Sequence, residues 1–280
     1  GQGTIYPDTI ETGGTRRADV IKTHHNRVPI IEKMIEEGKV VEPLSDLYKV
    51  EVRELGERME ISSELLWRHP FPGPGLGVRL LCNSGAPDRT GFDTAEPLLQ
   101  DVGRRFGLEA LLLPIRSVGV KADLRAYEHP VLLSGPAPWE SLIEAASTIT
   151  KEIPGINRCI WNLGPEAPRS ASPIAATATR ERLDLLREAD HIVMEALRQH
   201  QLYDEIWQCP TVLVPLQFDE ADGEIVVVRP VISERAMTAR PFPLPEPVLA
   251  DLRAGILNLP GISGLALDIT SKPPGTIEWE

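Results

Sequence analysis

The chain has little cysteine, no excess of positive charge and no long apolar run. Cys82, Cys159 and Cys209 are an odd number without metal-binding or redox spacing, which argues against a disulfide framework and suggests free thiols in a reducing compartment. No apolar stretch approaches the roughly 20 residues a membrane helix needs, and no signal peptide is visible. A cytoplasmic protein without membrane contact is expected. The formal net charge of -12 opposes non-specific attraction to nucleic acid or anionic lipid, because either partner is repelled over a Debye length. A local cluster of cations can still hold an anionic nucleotide.

The 280 residues, 42% hydrophobic and 25% charged, are those of an ordinary globular protein long enough for two cores. Up to about residue 80, short loops alternate with helical patterns. Ile30, Ile31, Met34 and Ile35 share a face that stops at Gly38, and Leu47, Tyr48, Val52 and Leu55 make another behind Ser45 as a plausible cap. This reads as the end of an α/β unit. Between residues 81 and 107 the periodicity weakens and Asn83, Ser84, Gly85, Pro87, Asp88 and Gly91 supply turn chemistry, so a linker is expected there.

From residue 108 onward the chain contains a diverged repeat. Ile153-Pro154-Gly155-Ile156 recurs as Leu259-Pro260-Gly261-Ile262, each following a helical pattern and preceding a strand pattern. Two ββαβ units are expected, about 108–170 and 205–280, forming α+β sheets with helices on one face. Between them a helix from about Thr177 to His200 carries a stripe of Leu183, Leu186, Val193 and Leu197, read as core or inter-unit packing.

Several clusters can carry chemistry. Lys22, His24 and His25 precede a helix, where an ammonium can neutralise a phosphoryl charge and an imidazole can move a proton near neutral pH; a solvated loop is the alternative. Asp8 and Glu11 either hydrogen-bond a nucleotide or cap the following segment. Asp123 and Arg125 follow the Gly119 turn at alternate positions and share a side if extended; a salt-bridged hairpin explains them equally well. His69-Pro70-Phe71-Pro72-Gly73-Pro74-Gly75-Leu76 is too rich in Pro and Gly for helix or interior strand, leaving a rigid loop whose backbone a ligand can approach. The last eleven residues, from Thr270 to Glu280, place Lys272 ahead of Pro273-Pro274-Gly275, so the ammonium sits on a stiff arm able to hold an anion; the alternative is a strand that ends in a turn.

Taken in order, Gly1-Gln2-Gly3-Thr4-Ile5-Tyr6-Pro7-Asp8, Lys22-Thr23-His24-His25-Asn26, the loop at His69, Ser117-Val118-Gly119-Val120 with Asp123 and Arg125, and the tail resemble GMP synthase in its longer, eukaryotic-type form. That resemblance implies ATP-dependent amidation of xanthosine monophosphate (XMP) to GMP through an adenylated intermediate, with ammonia from a glutaminase. It implies that residues 1–80 are the end of an ATP pyrophosphatase domain, with Lys22, His24 and His25 in a lid and Asp8 and Glu11 bordering the ATP cleft. It assigns Asp123, Arg125, Gln208, Lys272, Glu278, Gly73 and Pro74 to XMP, and residues 108–280 to a dimerisation and XMP-binding domain. No protein metal site is expected, since Mg²⁺ would be bound mainly by residues outside the chain. Neither a Ser-Gly-Gly-x-Asp-Ser loop nor a glutaminase is present, and the chain opens inside a family motif, so the carboxy-terminal part of a longer enzyme is expected, inactive alone. A homodimer is expected, and a non-catalytic nucleotide-binding module split from its ATPase is the alternative. An NAD synthase, another ATP pyrophosphatase, would not explain the tail. Two departures concern the XMP pocket: Lys121-Ala122 stands where the family commonly has Gln-Gly, and Arg235-Ala236 precedes Met237-Thr238 where an acidic residue is common.

Overall fold

A computed structural model describes residues 1–6, 28–72, 75–121, 124–233 and 237–280. They fall into two units, Gly1–Arg68 and His69–Glu280. The described residues of the first unit include α1 (Pro29–Glu36), α2 (Lys49–Arg58) and α3 (Ser63–Leu66). Pro29 occupies the start of α1, where its missing N–H costs no helical bond. The second helix begins at Lys49, not behind Ser45, because the Glu51 carboxylate reaches back to accept the Tyr48 N–H at 2.7 Å. Among the described residues of this unit there is no strand, and only Thr4 and Gly56 are buried. Ile30, Val50, Met59 and Leu65 are exposed.

The second unit is built on apolar strands whose successive residues face opposite ways. Its elements are α4 (Phe92–Phe106), β1 (Glu109–Leu112), β2 (Ser117–Lys121), β3 (Leu124–Ser134), α5 (Trp139–Glu152), β4 (Ile156–Asn162), α6 (Arg180–Gln199), β5 (Thr211–Val214), β6 (Glu224–Val228), α7 (Glu246–Ile256) and β7 (Ile262–Asp268). The sheet order is β1-β3-β4-β7-β6-β5, with β2 paired to the first half of β3. β3 lies parallel to β4 and β6 parallel to β7, while β4 and β7 meet antiparallel at the centre. β1 and β5 flank them antiparallel. In chain order one half runs β1, β2, β3, α5, β4 and the other β5, β6, α7, β7, so that apart from β2 both follow strand, strand, helix and strand. The two helical connections join parallel neighbours, as parallel pairing requires.

Val131, Leu133, Val226 and Leu265 face the helices, packing with Leu99 of α4, Ile149 of α5, Leu186 and Val193 of α6 and Leu252 of α7. Leu132, Ile160, Ile225 and Val227 face the other way, where Trp279 of the tail closes over them. The stripe on α6 is therefore core, and Thr179 caps that helix by accepting the Arg182 N–H.

Residues 81–107, expected as a linker, instead hold α4. Phe92, Ala95, Leu99 and Val102 are buried at helical spacing, while Pro97 sits on the exposed side of the helix. That proline and the turn residues before Gly91 mask the periodicity in the sequence.

Three charges lie wholly inside this unit. The Asp268 carboxylate accepts Arg158 Nη1 at 2.5 Å and Trp279 Nε1 at 3.1 Å on one oxygen, and Arg229 Nη1 at 2.6 Å and the Thr270 N–H at 3.0 Å on the other. All three charged side chains are fully buried. Burial would raise the Asp268 carboxyl, but the two guanidinium groups outweigh it and hold the group below the usual carboxylate range. Burial pushes Arg229 down to about 10, so it remains charged at neutral pH.

Because Asp268 titrates lower in the folded protein than unfolded, its stabilising contribution is fully present above its ordinary value of 3.8 and is lost as pH falls below it. Asp268→Asn should leave two buried cations uncompensated and cost about 3–5 kcal/mol. Urea unfolding at neutral pH and at pH values below 3.8 checks this: the variant should lose stability at neutral pH and show a flatter acid dependence than wild type.

Candidate functional site at the tail

The tail is laid along β2. The Val118 N–H donates to Trp279 O at 3.0 Å and the Val120 N–H to Pro274 O at 2.7 Å, while Thr276 Oγ1 donates to Val118 O at 2.8 Å. Gly119, between these contacts, is required by space: a Cβ there would lie 2.6 Å from Pro274 O and 2.8 Å from Asn157 Nδ2. Arg158 Nη2 donates to Val118 O and to Thr276 O, at 3.0 and 3.2 Å, joining strand and tail from below. The turn itself has cis bonds before Pro273 and Pro274 and closes with Gly275 N–H on Ser271 O at 3.1 Å.

A series of short antiparallel pairs leads from Gln208 to Lys272. Gln208 exchanges backbone bonds with Val231, Val231–Ile232 pairs with Arg240–Pro241, and Ala239 exchanges backbone bonds with Lys272 at 2.8 and 3.1 Å. Lys272 lines a cleft of about 760 Å³ together with Ile232, Met237, Thr238 and Arg240. Its ammonium is half-buried, and burial followed by the nearby Arg229 lowers its pKa.

Further along the tail, Glu278 is bound on two sides. Arg79 Nε donates to its Oε2 at 3.1 Å and Arg79 Nη2 to its Oε1 at 3.0 Å, and Gln208 Nε2 donates to Oε1 at 3.0 Å. The structure thus brings Gln208 and Glu278 together and places Lys272 in a cleft that neither of them lines. Arg125 is exposed at the start of β3, opposite Val120 in register. Lys121, one of the departures from the family pattern, pairs with Glu128 at 2.6 Å. Asp8, Glu11, Lys22, His24, His25, Gly73, Pro74, Asp123, Arg235 and Ala236 lie outside the described residues.

Sequence reasoning missed Arg79, Arg158, Arg229 and Asp268. The last three interrupt or end otherwise apolar strands, which is the signal that could have found them: a charge within such a run is buried with a partner. Among the described residues no group of His, Cys, Asp or Glu could hold a metal ion, and no helix is long and apolar enough to cross a membrane.

The second unit is a mixed α/β sheet whose carboxy-terminal tail carries a half-buried cation, Lys272, and a carboxylate, Glu278, held by Arg79 and Gln208. Residues 195–279 match the family described as the GMP synthase C terminal domain. The whole chain is similar to a probable glutamine-hydrolysing GMP synthase of Leptospira interrogans, with 44% identity over 100% of this chain and 46% of that protein. A probable GMP synthase of Caenorhabditis elegans is 32% identical over 100% of the chain and 48% of its own length. The GMP synthase of Dictyostelium discoideum is 32% identical over 99% and 46%. The chain is thus a relative of GMP synthases along its length, as its motifs indicate, and spans about half the length of the curated relatives it matches.

Gly119→Ala should force strand and tail apart at a cost of about 1–3 kcal/mol. Limited proteolysis should then release the last residues faster than in wild type, while cleavage rates elsewhere stay the same.

Proposed function

We propose that this chain is the nucleotide-binding, carboxy-terminal portion of a GMP synthase, serving the ATP-dependent amidation of XMP with ammonia from glutamine. The observation that carries the reading is the tail: Lys272 lines a cleft beside Arg229, and Glu278 and Gln208 are joined by a hydrogen bond a few residues away. In this reading the Lys272 ammonium pairs with the XMP phosphate, aided by Arg125 on the neighbouring hairpin. Carboxylate and amide groups of Asp123, Gln208 and Glu278 serve the ribose and base, and the backbone at Gly73 and Pro74 borders the nucleotide.

The other roles follow from the same resemblance. Residues before about 80 form the end of an ATP pyrophosphatase domain, in which Asp8 and Glu11 border the ATP cleft and Lys22, His24 and His25 belong to a lid over the adenylation site. ATP is then a substrate, Mg²⁺ is bound mainly by residues outside this chain, and ammonia comes from a glutaminase domain or subunit. The duplicated ββαβ unit is the dimerisation domain of a cytoplasmic homodimer.

The chemistry divides into binding, which these residues supply, and adenylation, which needs a phosphate-cradling loop not found in this sequence. The purified 280-residue chain should therefore release no AMP or pyrophosphate from ATP, XMP and ammonia; measurable AMP release would count against this division of labour. A charge-assisted contact of the Lys272 type is worth about 1.5–3 kcal/mol, or roughly ten- to over a hundredfold in affinity. In the full-length protein, Lys272→Ala should raise the KM for XMP by that factor and leave glutamine hydrolysis and the unfolding temperature near wild type. An unchanged XMP affinity in the folded variant would remove the site assignment.

A further inference from the structure

We propose that Arg79 is a positioning residue for XMP: it fixes the Glu278 carboxylate so that a single acceptor site is presented to a donor group of the nucleotide. The inference rests on the reading that Glu278 contacts XMP, and it adds a residue to which the sequence assigned no role.

Arg79 ends the single turn Gly75–Arg79 that follows the Pro- and Gly-rich loop, and it is 2% exposed. A buried guanidinium needs a partner, and here Nε and Nη2 form the parallel fork that suits a carboxylate. The ring of Phe71, from the loop itself, lies 5.0 Å from the guanidinium carbon. The backbone behind Arg79 is tied down as well, since the Leu81 N–H donates to Leu213 O of β5 at 3.1 Å. Arg79 is therefore held by the loop on one side and by the sheet on the other.

An ionised carboxylate offers about four acceptor sites, two on each oxygen. Arg79 occupies one on each oxygen of Glu278 and Gln208 occupies a second on Oε1. Among the described residues no other group takes the second site on Oε2, and the side chain is 19% exposed. A carboxylate with two fixed neighbours cannot rotate to offer another geometry, so the remaining site has one direction. That is the property a binding group needs if it is to select one donor, and it is conferred by the fork and not by charge alone.

The test uses the full-length protein and compares Arg79→Lys, Arg79→Ala, Glu278→Gln and the double variant Arg79→Lys/Glu278→Gln. Lysine keeps the charge and loses the fork. The expected result is a rise of about tenfold or more in the KM for XMP in Arg79→Lys, with the KM for ATP and the unfolding temperature near wild type. The double variant should be no worse than Glu278→Gln alone, because the two residues act as one unit. The proposal is overturned if folded Arg79→Lys has a wild-type KM for XMP while Glu278→Gln is impaired, or if the two losses simply add. An Arg79→Ala protein that unfolds while Arg79→Lys stays folded with normal XMP affinity also overturns it, since Arg79 is then structural only. If Glu278→Gln itself leaves XMP affinity unchanged, the assignment of Glu278 to the nucleotide has failed, a result separate from any failure of Arg79.

Discussion

The tail depends on one carboxylate. Asp268 ends the central strand β7 and collects Arg158 from β4, Arg229 from the end of β6, the Trp279 indole and the Thr270 N–H. Remove the charge and two cations are left in an apolar interior where neither can be solvated. The arrangement is costly to form and costly to break, which makes it a poor source of net stability and a good source of register. The strands of both repeats and the last residues of the chain are fixed relative to one another by a single group.

This constraint explains how a terminal segment can be held in place. Chain ends fray unless tied down, and eleven residues with no helix or strand of their own have few backbone bonds to offer. Here the tail replaces a missing layer: helices cover one face of the sheet, while Trp279 fills the other face with Leu132, Ile160 and Val227. The Arg158 guanidinium stacks on that indole, 4.8 Å from its centre. Lys272 and Glu278 lie on either side of the anchored stretch, so each inherits its rigidity. The buried network holds two cations and one anion, and its excess positive charge lies near Lys272.

Much of this was legible in the sequence where local chemistry decides structure. The Pro-Pro-Gly turn after Lys272 follows from fixed φ angles, and the paired Ile-Pro-Gly-Ile and Leu-Pro-Gly-Ile segments mark helix-to-strand turns that recur in both halves of the sheet. The stripe of α6 reads as core from periodicity alone. What was not legible was decided by distant partners. Arg79 and Glu278 are separated by nearly the whole second unit, and nothing near either residue announces the other. Helix α4 escaped because Pro97 and Gly103 look like breakers. The first is tolerated on the exposed face, and the second is demanded by the approach of Leu108 O, which a Cβ would meet at 2.7 Å. Asp8, Lys22, His24 and Asp123 remain readings of the sequence, since they lie outside the described residues.

The two halves of the sheet also differ in their buried charges. At the repeat spacing, Asp268 corresponds to Asn162 and Arg158 to Gly264, both uncharged. Asn162 uses its side chain locally, accepting the Gly164 N–H at 2.9 Å and donating to Glu166 O at 2.7 Å, and the chain there turns away into a loop. Gly264 leaves room for Phe218, whose ring carbons would lie within 2.9 Å of any Cβ at that position. A second such cluster would require further ions to be desolvated in the middle of one sheet, at several kcal/mol per ion. Divergence at these two pairs concentrates the buried charge at the end of β7, which is where the chain leaves the sheet and becomes the tail. The asymmetry of the repeat is thus what gives the last residues something to bind.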